Sequence, residues 1–175
     1  MNVPRVFGIA GWKNSGKTGL AVRLVEEFTR RGYRISTIKH AHHDFDIDKV
    51  GADSYRHRQA GAHEVTIVSG TRYAIMHELR GAPEPDLPAQ LERLAPSDLT
   101  LVEGFKAWPM PKLEVFRAAS GKAPLYPDDQ HIIAVASDQP RPATLRQGVA
   151  WLDLNAPEGV LAWIQDHVNN FSLKA

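Results

Sequence analysis

The sequence predicts an α/β fold: a mainly parallel, mixed sheet flanked by helices, with a β-hairpin excursion. Three observations carry this. Short apolar runs alternate with segments of helical period along the chain. A glycine-rich turn joins the first such run to the first amphipathic segment. And 175 residues, 43% hydrophobic and 23% charged, suit a single compact domain spanning residues 1–175.

The elements follow in order. Val6–Ala10 is a short apolar run, expected as a buried strand. Lys17–Arg31 carries Leu20, Ala21, Leu24, Val25 and Phe28 at helical spacing, and Gly32 suits the left-handed residue that ends a helix. Arg34–Lys39 alternates as a second strand. Asp53 is placed to cap a helix running to Ala60 and stopped at Gly61. Val65–Val68 and Tyr73–Met76 flank Ser69-Gly70-Thr71 and form the hairpin. A helix around Leu87–Leu94 precedes the strand Leu99–Val102, and Lys112–Arg117, His131–Ala136 and Ala150–Leu154 supply further strands. The hairpin and the Lys112 strand are what should make the sheet mixed. Asn155, followed by Pro157 and Glu158, opens a last helix to about Val168.

Composition excludes several functions. A formal charge of +1 argues against a broad basic surface for nucleic acid. The absence of cysteine removes disulfides, thiolate zinc sites, iron–sulfur clusters and Cys nucleophiles. No secretory signal and no apolar run of about 20 residues stand out, so a cytoplasmic protein with no membrane partner is expected.

Gly11-Trp12-Lys13-Asn14-Ser15-Gly16-Lys17-Thr18 matches G-x-x-x-x-G-K-[ST], the phosphate loop of the P-loop NTPase fold, in its required strand–helix context. Gly11 and Gly16 let the backbone curl so that amides point inward at phosphate oxygens. Lys17 would neutralise the β- and γ-phosphates and Thr18 would offer its hydroxyl to Mg²⁺. Gly11, Asn14, Ser15, Gly16, Lys17, Thr18 and Gly19 form the expected nucleotide-binding stretch. Leu99-Thr100-Leu101-Val102-Glu103 then has Walker B character, with Glu103 as the metal-side acid. Asp98 lies five residues away, about 16 Å along an extended chain and at the wrong edge of the sheet, and is expected to be a turn residue.

The second constellation is His40-Ala41-His42-His43-Asp44-Phe45-Asp46-Ile47-Asp48. A calcium loop fails because Lys49 replaces the turn glycine and Tyr55 the bidentate acid. Three histidines without cysteine support a structural zinc site poorly. In a parallel sheet this loop emerges on the phosphate-loop edge, where Asp44 could orient an attacking water and Asp46 face the metal. There His40, His42 and His43 could meet phosphate or a second anionic ligand; a solvated polar loop is the plain alternative.

No Asn-Lys-x-Asp guanine-reading string is present. Asp138, beyond the Ile132–Ala136 run, could accept from guanine N1 and N2, which adenine cannot offer; it could equally be a turn residue before Gln139-Pro140. Arg56, Arg58, Arg72, Lys106, Lys112 and Arg117 fall near loops that could face the site, with Lys106, three residues after Glu103, best placed for an anion.

GWKNSGKTGL, IKHAHHDFDIDKVGADSYRHRQAGA, DLTLVEGFK, PKLEVFR and HIIAVASD together resemble the MobB family of molybdopterin-guanine dinucleotide biosynthesis adapter proteins, in order from about residue 5 to 155. The resemblance implies a GTP-binding P-loop homodimer with weak Mg²⁺-dependent GTPase activity that assists a MobA-type guanylyltransferase acting on molybdopterin. It implies phosphate and magnesium roles for Gly16, Lys17 and Thr18 and a Walker B role for Glu103. It also makes Lys106 and the Arg72 hairpin candidates for phosphate or partner contacts, with the Val65–Met76 hairpin a candidate dimer surface. Gly19 stands where many such loops carry a second Thr, and Lys13 is one place later than the extra lysine of deviant P-loop ATPases. A small-metabolite kinase and a metal-delivery GTPase using the His40–Asp48 loop are the alternatives.

Overall fold

The structure, a computed structural model, describes residues 5–41 and 44–167. They form two compact units: residues up to His40 together with those from Leu87 onward, and Ala41–Asp86.

The larger unit is built on a six-stranded sheet. Its strands are β1 (Val6–Ala10), β2 (Ile35–Lys39), β5 (Leu99–Glu103), β6 (Lys112–Phe116), β7 (Ile132–Ser137) and β8 (Ala150–Asp153), while β3 (Glu64–Val68) and β4 (Tyr73–His77) belong to the smaller unit. The spatial order is β2-β5-β1-β6-β7-β8. Every neighbouring pair is parallel, with Ile9 beside both Glu103 and Leu113. Among the described residues antiparallel pairing is confined to β3 and β4, which make a separate two-stranded sheet. The Lys112 strand, expected to bring mixed character, therefore runs parallel like the rest. A run of apolar residues buried on both faces does not encode its direction.

β1 is central and buried throughout. A Cβ at Gly8 would come within 2.9 Å of both Lys112 and Met110 side chains, so glycine permits the close strand packing. Helix α1 (Lys17–Arg30) lays Leu20, Leu24 and Phe28 on this sheet. It ends as expected at Gly32, whose φ is 85°. Gly32 N–H donates to Thr29 O at 2.9 Å and Tyr33 N–H to Phe28 O at 3.0 Å, the paired bonds of a Schellman ending. The Phe28 and Tyr33 rings meet edge-on at 5.5 Å, closing it with an apolar contact. Val160 and Ile164 of α4 (Pro157–His167) join the same core. Leu87, at the start of α3 (Leu87–Arg93), packs with Val6, Val102 and Met110 in a second cluster. Each such side chain contributes about 1.5–3 kcal/mol by burial.

Asp98 is the turn residue expected: its carboxylate accepts from the Arg34 N–H at 2.7 Å, and its own N–H donates to Arg34 O at 2.8 Å. Lys112, by contrast, is no surface cation. Only 1% exposed, its ammonium donates to Asp129 at 2.7 Å and to the Lys106 carbonyl. A buried charge survives only when paired in this way. Glu114, two residues on, is fully buried and accepts the Leu125 and Tyr126 N–H groups, each at 2.8 Å. Burial pushes its carboxyl above the ordinary value, against the pull of those two bonds.

The smaller unit holds α2 (Asp53–Gln59) and the hairpin, paired Val65 to Met76. Ala52, not Asp53, occupies the cap position, and Asp53 lies in the first turn near Arg56 at 3.8 Å. The unit is organised by Arg58, whose guanidinium donates to Glu78 at 2.6 Å, Asp46 at 2.9 Å and Asp48 at 3.2 Å. Val65 and Met76 are buried, while Ile67, Val68, Tyr73 and Ile75 remain exposed. Among the described residues no helix is long and apolar enough to cross a membrane.

Candidate functional site

The phosphate loop leaves the buried end of β1 and enters α1 through a tightly turned backbone. Gly11 has φ 138° and Gly16 φ 101°, and Asn14 itself adopts φ 65°. A Cβ on Gly11 would come within 2.5 Å of the Val115 carbonyl and 2.8 Å of Ser15 Oγ, so this position tolerates nothing larger than glycine. No side chain caps α1 and no acid lies in its first turn. Its leading N–H groups and positive dipole end are left for an anion.

Ser15 sharpens this reading. It is 1% exposed and among the described residues its Oγ has no hydrogen-bond partner, although an orphaned buried hydroxyl costs about 1–3 kcal/mol. An oxyanion in the loop would answer that cost.

Lys17 folds back over the loop, its ammonium donating to Trp12 O at 2.6 Å. Burial pushes its pKa down; Glu103 opposes this, and the charges of Lys106 and Lys39 reinforce it. Thr18, the second residue of α1, faces the end of β5. Its hydroxyl donates to the Glu103 carboxylate, 3.1 Å from one oxygen and 3.3 Å from the other. Lys39 Nζ approaches the same carboxylate at 3.8 Å. The two metal-side groups expected from motifs 85 residues apart are thus neighbours. A hydroxyl beside a carboxylate is an all-oxygen donor pair, the chemistry Mg²⁺ prefers.

After Glu103 the chain reverses through Gly104 (φ 102°) and Phe105 (φ 47°). A Cβ on Gly104 would lie 2.6 Å from that of His40, and the His40 ring stacks on Phe105 at 4.6 Å. Lys106 then places its ammonium 4.7 Å from the centre of the Trp12 ring.

Arg117 and Asp138 occupy the other flank. Arg117 Nε donates to Ser15 O at 3.2 Å and Nη1 to Asp138 at 3.3 Å. Asp138 also accepts from Gln139 Nε2 at 3.1 Å. That bond, with the Arg117 charge, holds its carboxyl below the ordinary value. So Asp138 stands at the phosphate-loop edge, but its carboxylate is engaged by Arg117. Beside them lies a cleft of about 340 Å³ bordered by Gly16, Gly19, Leu20, Arg23, Arg117 and Asn155. Its volume is at the lower end for small-molecule sites. Gly19 has open space where a side chain would project.

In the smaller unit, Asp46 serves Arg58, whose hydrogen bond holds its carboxyl below the ordinary value. Asp48 is held by the same guanidinium and by the Ser54 hydroxyl at 2.9 Å. Asp44 is exposed, as is Arg72 in the hairpin turn, where the Arg72 carbonyl receives the Ser69 N–H at 2.9 Å. His42 and His43 lie outside the described residues, and among the described residues no three His, Asp or Glu side chains converge as a metal site. Sequence reasoning singled out neither Trp12 nor Ser15 beyond the motif, and it named Arg117 only as one of six basic residues near loops that could face the site. Arg117 would have stood out had β6 been known to lie beside β1.

Residues 6–138 match the family described as MobB, molybdopterin guanine dinucleotide synthesis protein B. The molybdopterin-guanine dinucleotide biosynthesis adapter protein of Escherichia coli (strain K12) is 42% identical over 91% of this chain and 93% of its own. Its namesake in Haemophilus influenzae is 37% identical over 95% and 90% respectively. In fold, the chain resembles the crystal structure of a MobB protein homolog from Bacillus stearothermophilus, with a TM-score of 0.71, 24% identity, and coverage of 95% of this chain and 99% of that one. With its phosphate loop, its parallel sheet and this shared sequence along most of its length, the chain belongs to the MobB family.

Proposed function

We propose that the protein is a GTP-binding adapter in molybdopterin guanine dinucleotide biosynthesis, with weak Mg²⁺-dependent GTPase activity. The adapter role accords with the family. The observation that carries the nucleotide reading is the approach of the Thr18 hydroxyl to the Glu103 carboxylate at 3.1 Å, at the mouth of an uncapped helix. The orphaned Ser15 hydroxyl and the glycine-only geometry at Gly11 support it.

Bound Mg²⁺ would supply charge neutralisation at the phosphates. The chain's own groups do the rest. Backbone amides of Asn14 and of Gly16 to Gly19 cradle the phosphates, while the Ser15 N–H holds the turn by donating to Trp12 O at 3.2 Å, and Lys17 exchanges that carbonyl for phosphate oxygens. Thr18 and Glu103 would hold the cation, and Glu103 orients the Thr18 hydroxyl by accepting its hydrogen bond at 3.1 Å. The cleft bordered by Gly19 and Asn155 would take the nucleoside, with Arg117 bracing the loop through Ser15 O. The partner in this reading is a MobA-type guanylyltransferase, with molybdopterin as the molecule served, and the working form is a homodimer.

Titration with GTP and with ATP in the presence of Mg²⁺ tests the nucleotide half; tighter ATP binding with rapid phosphoryl transfer to a small acceptor would replace the adapter by a kinase. Retention of the guanylyltransferase on the immobilised protein tests the partner half, and its absence from the eluate would remove that partner.

A further inference from the structure

We infer that Lys106 is a terminal-phosphate sensor: its ammonium is parked on the Trp12 ring and leaves it for the γ-phosphate, so that the site distinguishes triphosphate from diphosphate. This rests on the phosphate-loop reading above and adds to it which phosphate Lys106 meets and the selectivity that follows.

Two ammonium groups converge on one loop residue. Lys17 Nζ lies 2.6 Å from the Trp12 carbonyl, and Lys106 Nζ lies 4.7 Å from the centre of its ring. Like charges repel, so their convergence needs a compensating anion or a structural cause. Glu103 compensates Lys17 while also faced by Thr18 and Lys39, but among the described residues Lys106 has no carboxylate partner of its own. The effect of the Lys106 charge on Lys17 agrees with their proximity.

The placement of both partners is held by groups buried in the fold. The Lys106 carbonyl is fixed by the ammonium of Lys112, itself 1% exposed and tied to Asp129. The Trp12 indole N–H donates to Ala123 O at 2.7 Å, and the segment carrying Ala123 is clamped two residues later by buried Glu114. The reversal that brings residue 106 back toward the loop uses a left-handed Phe105, φ 47°, a conformation costly for a bulky side chain. Backbone and ring are thus anchored, while among the described residues no hydrogen bond or ion pair holds the Lys106 ammonium in place. A cation–π contact at a partly exposed ring is weak, and a charge-assisted bond to a phosphate oxygen exceeds it.

Topology says which phosphate is met. Lys106 follows β5, on one side of β1; Arg117 and Asn155, which border the nucleoside-sized cleft, follow β6 and β8 on the other. A polyphosphate running from the cleft along the loop ends on the β5 side, beneath Lys106.

The test compares GDP, a non-hydrolysable GTP analogue and inorganic tripolyphosphate, each with Mg²⁺, by calorimetry on the full chain and on Lys106→Gln. Loss of one charge-assisted bond should weaken the analogue and tripolyphosphate about tenfold while GDP stays within about twofold. Lys106→Arg should recover part of the loss. Tryptophan emission should change with the analogue but not with GDP, and that change should vanish in Lys106→Gln and in Trp12→Phe. Equal weakening of GDP and analogue would make Lys106 merely structural and overturn the inference. So would unchanged affinity for both. Should the unsubstituted chain bind none of the three, the phosphate-loop reading falls, and this one with it.

Discussion

Two groups of carboxylates invite comparison: Glu103 beside the phosphate loop, and Asp46, Asp48 and Glu78 around Arg58. The sequence offered a metal-side acid in each, Glu103 in the first and Asp46 in the second. In the larger unit Glu103 meets a hydroxyl at 3.1 Å and a lysine only at 3.8 Å, so its negative charge stays available to a metal. In the smaller unit three acids are satisfied by a single guanidinium at 2.6–3.2 Å. An acid already paired with a planar, permanently charged Arg has little to offer Mg²⁺. What separates a carboxylate with charge to spare from one already spent is therefore its partner rather than its spacing.

The largest expected effect is on the phosphate loop itself. Lys17→Ala should weaken GTP binding by at least about a hundredfold in calorimetry, since a partly buried cation bonded to phosphate is lost. Retained affinity would mean the phosphates are held elsewhere.

The sharpest cut between the two acid groups is a matched pair of substitutions. Glu103→Gln keeps an acceptor for Thr18 but loses the charge, and should remove about a tenfold Mg²⁺ enhancement of nucleotide affinity. Asp46→Asn should leave that enhancement intact. The opposite pattern would return the metal role to the His40–Asp48 loop.

A similar contrast separates phosphate from nucleoside. Gly19→Leu projects a side chain into open cleft and should lower GTP affinity several-fold, up to about tenfold, with inorganic tripolyphosphate bound as before. Equal loss of both would place the nucleoside outside this cleft.

The smallest effect is local and pH-dependent. The Arg58 hydrogen bond holds the Asp46 carboxyl below the ordinary range. The stability it contributes is therefore fully present above that range and disappears as pH falls through the lowered value. Hydrogen exchange at the amide of Asp48, which donates to Asp46 at 2.8 Å, should quicken on acidification. In Arg58→Met it should be fast at neutral pH already, with the parallel sheet unaffected.

Much of this architecture was readable beforehand. The order of strands and helices, the Gly32 helix ending, the turn role of Asp98 and the phosphate loop all follow from patterns within a few residues, because propensity, capping and period are local. Glu103 was readable too, since a strand-end acid in an apolar run needs only its own segment. The direction of β6, the burial of Lys112 and Glu114 and the engagement of Asp138 were not.

The sequence by itself determined that a phosphate loop joins a buried strand to an amphipathic helix, and that an acid closes a later strand. Tertiary structure alone decided that β1 lies between β5 and β6. That order brings Glu103 to Thr18 and Arg117 to Ser15, and it lets Lys106 reach Trp12. Strand neighbours are chosen by packing and hydrogen bonding between segments far apart in the chain, and no local period records that choice.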